Sequence, residues 1–352
     1  GYLAGTAIST GVGNVAMGST TGDALTTGDH NTFIGGGAGG GTLLASHVTA
    51  VGNGAAAGVL TAAAAGTVAV GKSAGNAITS GEKNVAVGYE ALKVEDDGDG
   101  NTAVGHQALV AQTGISGDVG NTAIGALAGT AITSGAGNTI VGFSALKSDD
   151  TCDACTAIGF KTLTAQAGTA DSAGAPGNTA VGHQAGQFLT TGTHSTFIGA
   201  SSGQGIGGTK LTGTHNTCLG HSSGLLLQGA ANNNTIVGAL AGDAITTGDG
   251  NTIMGKSAGS AAADVDDLVI IGRGAGASAL TSDADGAVFI GADAGSSNTA
   301  GQYNLAVGFA ALSVNVVGDG NTAVGYGTLS AAVSPNDDGY NTAVGASACG
   351  YV

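Results

Sequence analysis

The chain has 352 residues, of which 69 are glycine, 2 are proline and none is tryptophan; charged residues make up 9% and aromatics 4%. So much glycine raises the entropy cost of folding, and so few aromatics exclude a bulky core; the missing Gly-X-Y period excludes collagen, and 42% hydrophobic residues argue against disorder. With 8 basic against 24 acidic residues the net charge is −16, which repels phosphate backbones and excludes nucleic acid as an expected partner.

What remains is a repeat architecture with a thin, regular core. The phrase Asn-Thr-Ala-Val-Gly, or its Ile variant, ends at Gly105, Gly125, Gly182, Gly325 and Gly345. With that glycine as landmark, looser copies run from Gly1 through Gly18, Gly35 and Gly52 to Gly345, giving 20 landmarks and 19 spacings, twelve of them 17 residues. The repeat covers the whole chain, so a single continuous domain over residues 1–352 is expected.

The unit from Asn234 to Gly250 shows the grammar. Thr235-Ile236-Val237 reads as a short strand, Gly238 to Gly242 as a turn of small residues, Ala244-Ile245-Thr246 as a second short strand, and Thr247 to Gly250 as a second turn. Two strands and two turns per 17 residues predict an all-β fold, a parallel β-solenoid or β-roll of about 20 coils. The column before each landmark glycine, from Met17 to Val344, is aliphatic in every copy and is expected to face the core. Residues two apart share a face of a strand, so the Thr/Val column (Thr32, Val68, Thr102) is expected inside with it. Ile8, Leu25, Ile78, Ile132 and Ile245 of the second strand would close the core, with Ala38, Ala74 and Ala128 at tight corners.

Asparagine precedes the Thr column in 13 of 19 copies. Stacked in register, Asn101, Asn121, Asn138, Asn178, Asn234, Asn251, Asn321 and Asn341 predict a structural Asn ladder.

The residue between the two inward columns is never polar, and on this register it points outward. An outward apolar row predicts a homo-oligomer interface, with Phe33, Ile140, Phe197, Cys218, Ile236, Ile253, Ile270 and Phe289 as its largest members; a thicker coil that takes this row inside is the alternative.

Longer spacings, usually after two of 17, suggest a duplicated three-coil cassette whose inserts project as side loops. The inserts and turns are acidic, as in Glu95 to Asp99, Asp149-Asp150 and Asp337-Asp338. Asp97, Asp99 and Asn101 have the alternating oxygen spacing of a calcium loop, so Ca2+ is the one cofactor considered; otherwise solvated turns with no cofactor are expected. Cys152 and Cys155 bracket a short loop and are a candidate disulfide in an extracellular setting. His30 and His47, and His194 and His215, share one offset in adjacent coils and read as surface turn residues. No catalytic constellation is argued by spacing, so an enzyme is not expected. No segment approaches the ~18 apolar residues of a membrane span.

Gly100-Asn101-Thr102-Ala103-Val104-Gly105 and Gly120-Asn121-Thr122-Ala123-Ile124-Gly125 resemble the head repeats of YadA-like trimeric autotransporter adhesins, and similar repeats occur in phage tail fibres. The resemblance implies a left-handed parallel β-roll, three chains packed together and displayed at a cell surface for attachment. The period of 17 is longer than the usual head repeat, and no neck motif or coiled-coil heptad is found. The expected function is a non-catalytic extracellular structural or adhesive fibre, a stiff rod that self-associates and presents side loops to an unidentified receptor. Both ends are ordinary repeat, so a longer chain or head-to-tail stacking into a filament is expected. The alternatives are the shaft of a phage tail fibre, placing the chain on a virion, and an ice-binding solenoid using the threonines of strand two.

Overall fold

A computed structural model describes residues 1–42, 44–113, 117–167, 177–330 and 339–350. The chain is an all-β parallel solenoid. It divides into two compact units, Gly1–Gly177 and Asn178–Val352. Each coil contributes one three-residue strand ending just before a landmark glycine, such as Thr122–Ile124 or Thr235–Val237. Strands of successive coils pair in parallel and in register, so Thr122 faces Thr139, Ala123 faces Ile140 and Ile124 faces Val141. The inserts of two neighbouring coils add a small pairing of Gly98–Asp99 with Gly117–Asp118.

The opposite side of the coil is flatter in its bonding than the expected second strand. The N–H groups of Thr79, Ser80 and Gly81 all converge on the Asp96 carbonyl, at 2.7, 3.0 and 3.3 Å. One acceptor serves a whole turn, and among the described residues this side carries isolated parallel bridges, Leu189 with Leu211 and Leu211 with Gly229, in place of a regular ladder. The Thr79 hydroxyl donates to the same carbonyl at 3.0 Å, and Thr133 does likewise to Asp150.

The strand alternation is the reverse of the expected one. In nearly every strand the middle residue is buried and both flanks are half-buried or exposed. Phe33, Ile140, Phe197, Cys218, Ile236, Ile253, Ile270 and Phe289 are therefore core residues, each 0–1% exposed. The aliphatic column before the glycine and the Thr/Val column both face outward. Geometry explains this: a three-residue strand has two outward positions and one inward, and a 17-residue coil has room inside for only one side chain from it.

Three positions share that interior, and their sizes compensate. Where the strand centre is Ala69 or Ala123, the opposite side supplies Ile78 or Ile132, and the first corner is glycine. A side chain at those corners would collide: a Cβ on Gly75 would lie 2.9 Å from Ile78 Cδ1. Where the corner is instead Leu92, Leu109, Leu146, Leu163 or Leu312, that leucine turns in with φ of 45–53°, and the opposite side becomes Glu95, Gln112, Asp149, Gln166 or Asn315. Where the strand centre is Phe289, the corner is Gly295 and the opposite residue is Asn298. The compensation is partial: Ala123 and Ile236 both face a glycine corner and an opposite isoleucine, so interior volume differs from coil to coil.

The Asn ladder forms as expected. Asn138 Oδ1 accepts the Cys155 N–H of the next coil at 2.8 Å, and its Nδ2 donates to the Cys152 carbonyl at 2.6 Å. Asn121, Asn234 and Asn251 repeat the pattern. Asn178 bonds Gly192 and Ser195, Asn101 accepts from Asn121, and Asn321 accepts from Asn341. Each asparagine joins the strand of the next coil to that coil's preceding corner, satisfying backbone groups the strands leave unpaired.

Candidate interaction face

The outward face of each sheet carries two parallel rows. One is Thr, Val or Leu; the other is Val, Ile, Leu or Met without exception. In the second unit Thr179, Thr196, Thr217, Thr235 and Thr252 stand on five successive strands, paired residue to residue. Beside them run Val181, Ile198, Leu219, Val237 and Met254, of which Ile198, Leu219 and Met254 are 37–45% exposed. Neither row contains a charged residue in either unit. With strands about 4.8 Å apart and residues two apart separated by roughly 6.7 Å, the rows form a flat strip some tens of ångströms long in each unit. The outward apolar row thus exists, on different residues from those expected.

The strip is rigid for local reasons. Val, Ile and Thr are β-branched and stiff at χ1, which suits a pleated surface. Its inner border is the buried Asn ladder. Its outer border is the residue after each landmark glycine, a column that includes Lys72, Tyr89, His106, Phe143, Phe160, Lys256, Arg273, Phe309 and Tyr326.

The remaining candidates sit in the turns and inserts. Asp97, Asp99 and Asn101 do not converge. Asp99 Oδ1 accepts the Glu82 N–H of the preceding coil at 2.7 Å, and Asn101 Oδ1 accepts the Asn121 N–H of the following one at 3.1 Å. Alternate residues there face different neighbours, so the calcium-loop spacing does not become a shell. The carboxylates that do approach one another are Glu95, Asp96 and Asp97, each offering an oxygen within 4.8 Å of the others.

Glu95 belongs to a different pattern, which sequence reasoning missed. Glu95, Asp149 and Asn315 occupy one equivalent core position, all fully buried. Each side-chain oxygen accepts the N–H three residues on: Gly98 at 2.8 Å, Cys152 at 2.9 Å and Gly318 at 3.2 Å. The available signal was a polar residue three positions after a corner leucine, in a column that elsewhere carries Ile8, Leu25, Ile78, Ile132 and Ile245. Burial raises the pKa of both carboxyls, against the lowering effect of these N–H bonds.

Cys152 and Cys155 form a disulfide with a Cα–Cα distance of 6.3 Å. Both are buried, and Gln166 Nε2 lies 3.1 Å from the Cys152 sulfur. Cys218 is a buried free thiol whose pKa burial pushes up. His30 stacks on His47 at 5.5 Å and His194 on His215 at 5.1 Å, as exposed turn ladders. The acidic turn Asp337-Asp338 lies outside the described residues. No helix among the described residues is long and apolar enough to cross a membrane.

No family model matches the chain, and no curated protein matches it.

Proposed function

We propose that this chain is a non-catalytic structural and adhesive fibre module, acting outside the cell or at its surface, that self-associates through the outward face of its sheets. One observation carries the reading: two uninterrupted, uncharged rows of Thr/Val/Leu and Val/Ile/Leu/Met on every described strand. A solvated face of a solenoid has no physical need to keep an aliphatic residue at one position in all 19 strands, and exposed apolar strips of this extent mark contact surfaces. A symmetric homo-oligomer, most simply a trimer with the strips around a common axis, covers all copies equally. The head-repeat resemblance supports the same arrangement; the alternative reading, the shaft of a phage tail fibre, would rest on the same strip.

Sedimentation of the native protein tests this. The wild type is expected to sediment as a defined oligomer. Ile198→Glu with Leu219→Glu, on neighbouring outward positions, is expected to shift it to monomer with unchanged circular dichroism. A monomeric wild type in physiological salt overturns the proposal.

A second reading is favoured by the outward threonines. They stand on strand one, in register, beside aliphatic residues, and present hydroxyl and methyl groups at the regular strand spacing. That is the surface an ice-binding solenoid requires. Thermal hysteresis at micromolar protein, lost in Thr217→Glu, is the expected result under this reading; its absence removes it.

A further inference from the structure

The residue after each landmark glycine forms a column along the edge of the outward strip. In the first unit five successive members are Tyr89, His106, Ala126, Phe143 and Phe160. Hydrogen bonds hold them in register. Gln107 N–H donates to the Tyr89 carbonyl at 2.8 Å, Leu127 to His106 at 2.9 Å, Ser144 to Ala126 at 3.0 Å and Lys161 to Phe143 at 3.0 Å. Tyr89 and His106 stack at 5.3 Å with planes 11° apart; Phe143 and Phe160 stack at 5.6 Å and 15°.

Ala126 interrupts this ladder. Its methyl group cannot reach as far as a ring, so the column has a one-coil gap between the His106 and Phe143 positions. At the ladder's own step of 5.3–5.6 Å per coil, a single ring midway would lie about 5.5 Å from each, inside the range in which aromatic rings attract. The outward neighbour in the same coil, Ile124, is 42% exposed, and Phe143 is 45% exposed. The order ring, alanine, ring recurs at His183, Ala200 and His221 in the second unit.

We propose that the slot over Ala126, between His106 and Phe143, receives one aromatic side chain presented by a partner polypeptide. The ring would complete a five-ring ladder. Its faces would be covered by His106 and Phe143 and its inner edge by Ala126, while its outer edge stays open. Such a ring is held best on a tether. The tether leaves by the open outer edge of the slot, away from the rows proposed for self-association. The net charge of −16 selects against an acidic carrier. The inference deepens the adhesive reading, on which it rests for the identity of the partner.

The test is a titration of the native protein with acetyl-Val-Trp-Val-amide, followed by nuclear magnetic resonance of the His106 and Phe143 ring protons. Saturable upfield shifts of both rings are expected, with none for the Val-Leu-Val peptide. Ala126→Phe, which supplies the missing ring from the chain itself, is expected to weaken binding about tenfold or more, the worth of two ring contacts. Ala126→Leu, which blocks the slot with less strain, is expected to do the same should the first variant unfold. Absence of a saturable shift, binding unchanged in both variants, or free indole binding as tightly as the peptide overturns the proposal. Sedimentation is read separately, since Ile198 and Leu219 lie in the other unit; failure of self-association leaves this titration interpretable.

Discussion

Asp149→Asn and Glu95→Gln are expected to stabilise the protein at neutral pH, each by about 1–3 kcal/mol, the usual cost of a buried polar atom without a partner. Glu95 Oε2 is buried without a hydrogen-bond partner, and Asp149 Oδ2 is buried with no hydrogen bond of good geometry, although the neighbouring Gln166 side chain partly offsets its burial. The third copy of the position shows what they lack. Asn315 keeps the same N–H contact through Oδ1, and its Nδ2 donates to the Gly318 carbonyl at 2.9 Å and to Asn298 Oδ1 at 3.0 Å. An amide offers the donor there, and an ionised carboxylate does not.

The surroundings make ionisation worse. Asp96 and Asp97 lie beside Glu95 and Asp150 beside Asp149, while the described ion pairs, Lys83–Glu82, Lys93–Glu90 and Arg273–Asp293, involve neither acid. The sign follows from the raised pKa values. Below the ordinary carboxylate range both acids are neutral in the folded and unfolded chain, and stability is at its fullest. As pH rises through that range the unfolded chain ionises first, and stability falls until the folded pKa is passed. Thermal unfolding from pH 4 to pH 8 should therefore show the wild type losing stability, and the Glu95→Gln, Asp149→Asn double variant losing clearly less. A wild type whose stability rises across that interval, with the double variant below it, contradicts the assignment.

Gly142→Ala is expected to cost about 3 kcal/mol or more and to disrupt the stack locally. Gly142 has φ +136°, and a Cβ there would sit 2.2 Å from the Gly159 carbonyl oxygen of the next coil. Such a backbone conformation alone costs a side chain on the order of 1–3 kcal/mol, and the opposing atom is backbone, held by the parallel strands, so it cannot turn away. Gly125 and Gly159 share the conformation, with φ of 134° and 138°. Gly120 is the control: its φ is +60°, nothing lies within 4 Å of its Cβ position, and Gly120→Asn should cost well under 1 kcal/mol. Urea unfolding of the two variants compares them directly. Equal midpoints would show that the close approach of successive coils is not what makes the landmark glycine invariant.

The orientation of the strand was open to a closer reading of the sequence. The aliphatic column before the glycine looked inward because it never varies. Constancy there reflects the outward strip, while the middle row varies with the coil interior. Phe33, Phe197 and Phe289 each precede a coil with a glycine corner, and Phe33 and Phe289 face Thr42 and Asn298 across it; Ala86 and Ala103 precede coils with Leu92 and Leu109. The firmer link is between corner and opposite side: Leu92, Leu109, Leu146, Leu163 and Leu312 are each followed three residues later by a polar residue, whereas the middle row follows it only in part, since Ile140 precedes Leu146.

The period, the Asn ladder, the alanine corners and the parallel solenoid were determined by the sequence alone, because each depends on a residue recurring at a fixed offset and on short-range backbone preferences. Tertiary structure alone decided three things. It turned the middle row inward, because the coil has space for a single strand side chain. It pulled Asp99 and Asn101 toward different neighbours, because stacking hands each oxygen an N–H from another coil. And it set His106 and Phe143 on either side of a one-coil gap, because residues 37 positions apart in the chain become near neighbours only once the coils are stacked.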